Sequence, residues 1–437
     1  MVGLGMLASS ILAGKVAHRT NAGAGAARDR SGRVVQNAAA AEGRMILDIF
    51  SELQRPGPRR DDDHEGAVYR DAIEQAVLAD ELGYGCWWQV EHHGAPQFSY
   101  SSTPDMFLAV LSQHTERIHL GHSGVLAPYA INHPLRVAER AAFLDVMSGG
   151  RLELGLARSV PSEWDVFGVD PDITRDQVNE ALRMLPRMWA ESPFEWHSET
   201  FSMPRRDVTP KPVTRPHPPL WVTAGSPEGF EAAGRMGVGV LGTVMLSPME
   251  HLETLCRAHQ RGLAACEPIG EAVNRQCAVF AFMHCAETEQ QAIESRAAEA
   301  AIWFMNAQAE IFGVVREVWL RTLREKLPLW DSEGANVDPG TRQEIGDLDD
   351  PEPLIRLMNR QLAGLEIDPG EAYEVLLPLD AVLIGDIDTC RRKLRAYEAT
   401  GVDRIMCLMQ MGMLPHDVVL RSLRTTGKFL IPELASA

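Results

Sequence analysis

The sequence has no long apolar run, no excess of basic residues and no closely spaced cysteines. A membrane-spanning helix needs roughly 18 or more consecutive apolar residues, and no stretch of this chain reaches that length. Nucleic acids are bound by concentrated Lys and Arg, whereas here 60 Asp and Glu outnumber 42 Lys and Arg and give a formal net charge of -18. These absences argue against a membrane protein and against a nucleic-acid partner.

The seven cysteines are scattered, and no two of them have the C-x-x-C spacing of a zinc site. Cysteines without a pairing pattern are typical of proteins from a reducing compartment. We therefore expect free thiols and a cytoplasmic location.

The chain has 437 residues, of which 45% are apolar and 23% charged, the balance of an ordinary globular protein. Residues 1–44 differ, because they are rich in Ala, Gly and Arg and contain no aromatic residue to anchor a core. We predict a poorly ordered extension there, with a targeting peptide as the alternative. The folded domain is expected at residues 45–437.

Short apolar runs alternate with longer segments of helical period from Met45 onward. This alternation is typical of βαβ units and therefore of a parallel sheet. The predicted strands are residues 45–50, 85–90, 117–123, 151–156, 220–224, 238–241, 276–285 and 404–408. Eight strand–helix units predict an α/β fold, a TIM (β/α)8 barrel.

A long segment before the last strand departs from this alternation. One Ala-rich helical pattern over residues 287–325 leads into residues 326–377, where Asp, Gly and Pro clusters surround a short helical stretch at 354–362. Long excursions inside compact domains are commonly lids or binding loops. We predict a long insertion at 326–377, either an active-site lid or a solvated insertion.

The active site of a TIM barrel lies at the carboxyl ends of its strands, so polar residues directly after each strand are the first candidates. These are Glu91, His92 and His93 after the second strand, Ser123 and Gly124 at the end of the third, Arg158 after the fourth, and Gly225 and Ser226 after the fifth. Because the ends of parallel strands meet at one rim, we expect these residues to converge.

His92 is the candidate for proton transfer, because an imidazole takes up or releases a proton near neutral pH. The neighbouring Glu91 carboxylate could fix its tautomer or raise its basicity. A metal site is the rival use of two histidines, but His92 and His93 would point to opposite sides of an extended segment, and there is no H-E-x-x-H helix. We predict no metal site, while a purely structural role for the pair stays open.

Arg158 and Arg175 are candidates for binding an anion, because a guanidinium binds phosphate through two parallel hydrogen bonds. Each could equally form an ordinary surface salt bridge. Gly225 and Ser226 lead into a helix, and free N–H groups at a helix start, supported by the serine hydroxyl, also bind anions. The residues alone thus indicate an anion site beside a histidine.

Residues 86–178 closely resemble the luciferase-like family of flavin-dependent monooxygenases. The motifs are W-W-Q-V-E-H-H (87–93), N-H-P-L-R-V-A-E-R (132–140), L-D-V-M-S-G-G-R-L-E-L-G (144–155), Arg158, and D-V-F-G-V-D (165–170) with Arg175. Weaker similarity follows in P-P-L-W-V-T-A-G-S (218–226) and V-D-R-I-M-C (402–407). The resemblance covers most of residues 45–435, and the combined order of its motifs is specific.

The resemblance implies a TIM barrel that binds reduced FMN, reacts it with O2 to a C4a-peroxyflavin and transfers one oxygen atom to a small organic substrate. It also implies a separate flavin reductase as partner. A homodimer formed through the helices after the second and third strands is a further expectation from the family.

Several candidates match residues of the family by position. His92 matches the catalytic histidine that assists proton transfer. Arg158 and Arg175 match arginines that bind the phosphate, and Ser226 matches a serine at the phosphate pocket. The pair Ser123–Gly124 matches small residues whose often cis peptide lies beneath the isoalloxazine ring, where a flat ring must approach backbone closely.

Two departures from the family pattern bear on the activity. Ala157 stands where luciferase has a reactive cysteine, and Gly225 stands where it has an acidic residue, so we do not expect light emission. Two other readings stay open, a deazaflavin-dependent oxidoreductase that transfers hydride on the same fold, and a non-catalytic flavin-binding partner subunit.

Overall fold

Eight parallel strands form a closed barrel in the computed structural model, which describes residues 44–325 and 344–436. The strands of the described chain are β1 (Ile46–Ser51), β2 (Cys86–Gln89), β3 (His119–Leu126), β4 (Leu152–Ala157), β5 (Phe194–His197), β6 (Ser202–Arg206), β7 (Leu220–Thr223), β8 (Gly239–Thr243), β9 (Cys277–Ala286), β10 (Leu383–Asp386) and β11 (Arg404–Leu408). Around the barrel the order is β1-β2-β3-β4-β7-β8-β9-β11, and β11 pairs with β1. The predicted TIM barrel is confirmed.

Helices surround the barrel. They are α1 (His64–Leu82), α2 (Pro104–His114), α3 (Pro134–Ser148), α4 (Pro161–Phe167), α5 (Thr174–Ala190), α6 (Pro227–Met236), α7 (Met249–Ala264), α8 (Glu289–Glu294), α9 (Ala297–Ile311), α10 (Arg316–Glu325), α11 (Pro353–Leu362), α12 (Pro369–Leu376), α13 (Ile387–Ala399), α14 (His416–Phe429) and α15 (Ile431–Ser436). Over the described ranges, none of them is long and apolar enough to cross a membrane. Proline begins α2 and α3, and Gly83, in the left-handed conformation with φ 87°, ends α1.

Large side chains fill the barrel interior, and glycines on neighbouring strands make room for them. A Cβ at Gly121 would lie 2.2 Å from the Trp88 ring, and one at Gly239 would lie 2.5 Å from the Trp221 ring. The two indoles meet edge to face, with centroids 5.2 Å apart. The interior is therefore a packed core, and ligand chemistry is confined to the rim.

A fully buried ion pair joins the first and last barrel strands. Arg404 on β11 donates from Nε and Nη2 to the two carboxylate oxygens of Asp48 on β1, each at 2.7 Å. The indole N–H of Trp88 donates to the same carboxylate at 2.8 Å. Buried charges are tolerated only when they are paired and hydrogen-bonded, and here the pairing fixes the closure of the barrel.

Three elements differ from the sequence expectations. Strands β5 and β6 form an antiparallel hairpin that was not predicted, because its polar second strand lacks a hydrophobic alternation. Strand β10 pairs in parallel with the carboxyl half of β9 outside the barrel closure. The single helix predicted over 287–325 is wrong, since Arg296, in the left-handed region at φ 59°, separates α8 from α9 and Gly313, with φ 62°, separates α9 from α10.

The long insertion before the last strand is present. Its described part contains α11 and α12, and both helices pack against α9. Helix α11 agrees with the stretch predicted at 354–362. Residues 1–43 and 326–343 lie outside the described residues, so the terminal extension and the lid stay predictions.

Candidate active site

His92 lies between two carboxylates that come from different parts of the fold. Its Nδ1 is 3.0 Å from Oε1 of Glu163, near the start of α4. Its Nε2 is 3.6 Å from Oε2 of Glu52, which directly follows β1. The rings of His92 and Phe98 meet edge to face, with centroids 5.4 Å apart. Strand ends and the short helix α4 thus hold one imidazole from both sides.

These carboxylates decide the charge of His92. Burial alone would lower the pKa of His92, but Glu52 and Glu163 outweigh it and raise that pKa to about 9. Burial raises the pKa of Glu52 to about 7, although the charge of His92 acts in the opposite direction. His92 is therefore cationic at neutral pH, and Glu52 titrates in the physiological range.

Glu163 is the better satisfied of the two carboxylates. Besides His92, it accepts hydrogen bonds from the backbone N–H of His93 at 3.0 Å and from the Ser159 hydroxyl. Burial alone would raise the pKa of Glu163. The hydrogen bonds and charge of His92, with the hydrogen bonds from Ser159 and from the backbone of His93, hold that pKa below its usual value. Glu163 therefore stays a carboxylate and fixes Nδ1 of His92 as the protonated donor.

Glu91 does not hydrogen-bond to His92 and so does not fix its tautomer, but its charge adds weakly to the raised pKa of His92, as the second half of the expectation had it. Glu91 hydrogen-bonds instead to Nε2 of His93 at 3.2 Å, to the N–H of Leu126 at 2.9 Å and to the side-chain amide of Asn132 at 2.9 Å. Burial opposes its ionisation, but hydrogen bonds from neighbouring histidines hold its pKa well below the usual range. Glu91 therefore ties the end of β2 to the end of β3.

Glu52 and Glu163 were not among the candidates. Glu52 could have been found, because it follows the first strand as directly as the selected residues follow theirs. Nothing in the sequence indicated that Glu163 is a site residue, because it stands 71 residues after His92 in a short helix that the sequence pattern did not predict.

The peptide between Ser123 and Gly124 is cis, as the resemblance implied. At this point the pairing of β3 with β4 shifts register between His122 and Val125. A Cβ at Gly124 would lie 2.9 Å from the backbone carbon of Leu156. The close approach that requires glycine is thus that of strand β4.

Arg158 directly follows β4 and Arg175 lies in the first turn of α5, near enough for the two charges to act on one another. Arg158 donates to the Thr174 hydroxyl at 2.9 Å and to the Pro171 carbonyl at 3.2 Å, and its guanidinium lies 5.7 Å from the centroid of the Trp164 ring. Burial and the like charge of Arg175 lower the pKa of Arg158. Over residues 44–325 and 344–436, neither guanidinium has a carboxylate partner, so the salt-bridge alternative is not observed.

Ser226 is the N-cap of α6, where its hydroxyl accepts from the N–H of Gly229 at 3.3 Å. Glu228 in the first turn also contacts this hydroxyl, and its own backbone N–H and Ser226 lower its pKa. The space beside Gly225 is open, since an added Cβ would have no atom of the described residues within 4 Å apart from those of its chain neighbours. An anion at this helix start would meet the backbone N–H of Glu228 and the Ser226 hydroxyl. It would also have to displace the Glu228 carboxylate, which already interacts with both groups.

The candidate residues gather on one part of the rim. The strands β1, β2, β3, β4 and β7 are successive neighbours, so the segments that follow them are adjacent. Two guanidiniums without a counter-ion in the part of the chain that the structure describes, together with a serine at a helix start, fit a phosphate group. In the described part of the chain no group of His, Cys, Asp and Glu has the arrangement of a metal site.

A barrel with such a rim is typical of TIM-barrel enzymes that bind a phosphorylated ligand. The family model of luciferase-like monooxygenases matches residues 53–404. The chain therefore belongs to the luciferase-like monooxygenase family. It is 26% identical over 372 residues to the oxygenase component of a flavin-dependent trigonelline monooxygenase from Acinetobacter baylyi, covering 84% of this chain and 90% of that protein.

Solved structures with a similar fold include the monooxygenase RslO1 from Streptomyces bottropensis, with a TM-score of 0.67 and 23% identity over 89% of this chain and 99% of that one. The oxygenating constituent of 3,6-diketocamphane monooxygenase from Pseudomonas putida, in complex with FMN, has a TM-score of 0.60 and 19% identity over 89% and 99%. A tetrahydromethanopterin reductase from Methanopyrus kandleri, dependent on coenzyme F420, has a TM-score of 0.61 and 18% identity over 90% and 99%.

Proposed function

We propose that this chain is the oxygenase component of a two-component system that uses reduced FMN and O2 to oxygenate a small organic substrate. The observation that carries the proposal is the pair Arg158 and Arg175, two guanidiniums that have no carboxylate partner among the described residues. Arg158 follows β4, two strands along the barrel from His92, which carboxylates hold cationic. A protein with a net charge of -18 needs such local cations to bind an anionic cofactor. A separate reductase supplies the reduced flavin.

In this proposal each site residue has a distinct task. Arg158, Arg175 and Ser226 bind the FMN phosphate, and the backbone at Ser123–Gly124 supports the flavin ring. Reduced FMN, when bound, supplies the electrons that activate O2. His92 holds a proton on Nε2 and donates it to the oxygen that accumulates negative charge, while Glu163 keeps the ring in place.

An aromatic cluster beside His92 supports an apolar substrate. The ring of Phe98 is 5.4 Å from that of Phe304, which stacks on Phe280 at 5.6 Å, and Phe280 meets Phe50 at 5.1 Å. Aromatic rings favour apolar or planar molecules and exclude water from the rim. Residues 326–377 would serve as the lid over this region.

Isotopically labelled O2 tests the proposal. The enzyme is supplied with reduced FMN by an unrelated flavin reductase and offered a panel of terpenoid, ketone and heteroaromatic substrates. We expect one labelled oxygen atom in the product of one substrate class and the other in water. Flavin oxidation without label in any product would contradict it.

A deazaflavin-dependent oxidoreductase is the second candidate, favoured by the similarity to the reductase from Methanopyrus kandleri. The two candidates differ in oxygen consumption, because hydride transfer needs no O2. A non-catalytic flavin-binding subunit is the third possibility. This third possibility predicts that His92→Ala alters neither turnover nor FMN binding. The leading proposal predicts that the same variant loses turnover and still binds FMN.

We propose a homodimer formed through α2 and α3, which pack side by side. Large apolar side chains on these helices are exposed, among them Met106 at 69% and Phe143 at 49%. A patch of this kind is typical of a protein interface. The cytoplasmic location stays a prediction, which the free thiols of all seven cysteines support.

A further inference from the structure

Glu52 is a buried carboxyl, and one of its oxygens has no hydrogen-bond partner among residues 44–325 and 344–436. Only 2% of its side chain is exposed, and its Oε2 is among the buried atoms without a hydrogen bond. The group in front of this oxygen is Nε2 of His92, at 3.6 Å. A buried polar atom left unsatisfied is costly, so its presence at the rim calls for a functional reason.

The other side of the imidazole is already taken. Glu163 accepts from Nδ1 of His92 at 3.0 Å and is itself held by His93 and Ser159. Nε2 is therefore the nitrogen that is free to exchange a proton, and it faces Glu52.

We propose that Glu52 is the proton reservoir of His92, a positioning and proton-transfer residue that restores the proton on Nε2 after His92 has given it to the reacting oxygen. The inference rests on the proposed function, in which His92 is the proton donor. Glu52 does not touch the substrate in this account and acts through His92.

The transfer step is balanced. After His92 has lost its proton it is neutral, and Glu52 is a neutral acid. The O–H bond of Glu52 breaks and an N–H bond forms at Nε2 of His92, which leaves a carboxylate and an imidazolium with the same net charge of zero. No electrons are transferred. The atoms need only approach from 3.6 Å to a hydrogen-bond distance of about 3 Å, and such contacts are often long before substrate binds.

The electrostatic surroundings agree with this role. The charged groups that act on His92 are Glu52, Glu163 and, more weakly, Glu91. Burial raises the pKa of Glu52 to about 7, so a proton is available on it at neutral pH. Since only 15% of the His92 side chain is exposed, a local donor replaces exchange with bulk water.

Glu52→Gln tests the inference, because it keeps the shape and removes the titrating group. Glu52→Asp serves as the conservative variant. Glu74→Gln is the matched control, since Glu74 contacts another histidine, His416, at 3.0 Å on the exposed side of α1. Two readouts are used: the titration of His92 in the cofactor-free protein by nitrogen-15 NMR, and the pH dependence of kcat and KM.

The NMR signal of His92 is identified among the 14 histidines by its loss in His92→Gln. In the wild type we expect His92 to titrate near pH 9. In Glu52→Gln this midpoint should fall by about 1 pH unit or more, because an opposite charge within reach is lost. In Glu52→Asp it should return part of the way, and in Glu74→Gln it should not move.

For turnover, wild-type kcat should fall as the pH rises through about 7, where Glu52 loses its proton. Glu52→Gln should lose this limb and about tenfold or more of kcat, with KM unchanged. Glu52→Asp should recover part of the limb near pH 7 and part of kcat. It also provides the test if the glutamine variant folds poorly. An unchanged His92 titration, or a retained limb near pH 7 in Glu52→Gln, overturns the inference.

The two proposals fail differently. If reduced FMN does not bind but Glu52→Gln still shifts the titration of His92, the FMN proposal fails and the coupling of the two side chains stands. If FMN-dependent turnover proceeds and Glu52→Gln alters neither readout, only the inference about Glu52 fails.

Discussion

Replacing Arg158 by alanine should weaken FMN binding through the phosphate alone. The side chain of Arg158 is already held by Thr174 and Pro171 and lies near the Trp164 ring, so little conformational entropy is lost when a ligand binds. Hydrogen bonds to a charged group contribute about 1.5–3 kcal/mol, and a bidentate contact lies at the upper end. We therefore expect a loss of about 3 kcal/mol, or about 150-fold in Kd.

Arg175 should contribute less, because it is exposed and its charge is screened by solvent. We expect Arg175→Ala to weaken FMN binding about tenfold. Arg187→Ala is the matched control, since Arg187 lies on the same helix α5 but is paired with Glu191 at 2.6 Å. That variant should bind FMN as the wild type does.

The assay is anaerobic calorimetry with reduced FMN and, in parallel, with reduced riboflavin, which has no phosphate. The Arg158 and Arg175 variants should lose affinity for FMN and keep the wild-type affinity for riboflavin. Equal losses for both ligands would mean that the arginines support the fold or the ring. Unchanged FMN affinity in Arg158→Ala would refute the phosphate assignment.

Three further predictions concern the buried ion pair, the close approach at Gly124 and the exposed face of α2 and α3. Asp48→Asn leaves Arg404 as an uncompensated buried charge and should lower the free energy of unfolding by about 3–5 kcal/mol in denaturant titration, while an unchanged midpoint would mean that the pair is dispensable. Gly124→Ala brings a Cβ to 2.9 Å from the backbone of β4 and should lower both Tm and FMN affinity, and normal values for both would contradict the close approach. If the proposed homodimer forms through α2 and α3, Phe143→Lys should convert it into a monomer in sedimentation, whereas an intact dimer would place the interface elsewhere.

The barrel can be predicted from the sequence because each strand and each helix is indicated by the residues of its own segment. Strand after helix can be recognised from apolar periodicity, and the positions of His92, Arg158 and Ser226 follow from the rule that sites lie at strand ends. The partners of these residues are non-local. Glu163 meets His92 across 71 residues of sequence, and the adjacent Glu91 turned toward β3 instead. Sequence proximity is thus a poor guide to which carboxylate orients a histidine.

The helical region before the insertion illustrates another limit. Arg296 lies between α8 and α9 in the left-handed conformation. Glycine adopts this conformation more readily than arginine, so the residue type at this position did not indicate that one helix ends and another begins. The polar strand β6 is held by pairing with β5 and lacks an apolar face that could be read in advance. In both places tertiary contacts override local preference.

Anaerobic titration with reduced FMN, in competition with a reduced deazaflavin, tests the central claim most directly. One FMN should bind per chain, in preference to the deazaflavin, and the bound flavin should then be oxidised when O2 is admitted. Failure to bind reduced FMN, or a preference for the deazaflavin without oxygen consumption, would contradict the assignment of this chain as an FMN-dependent oxygenase.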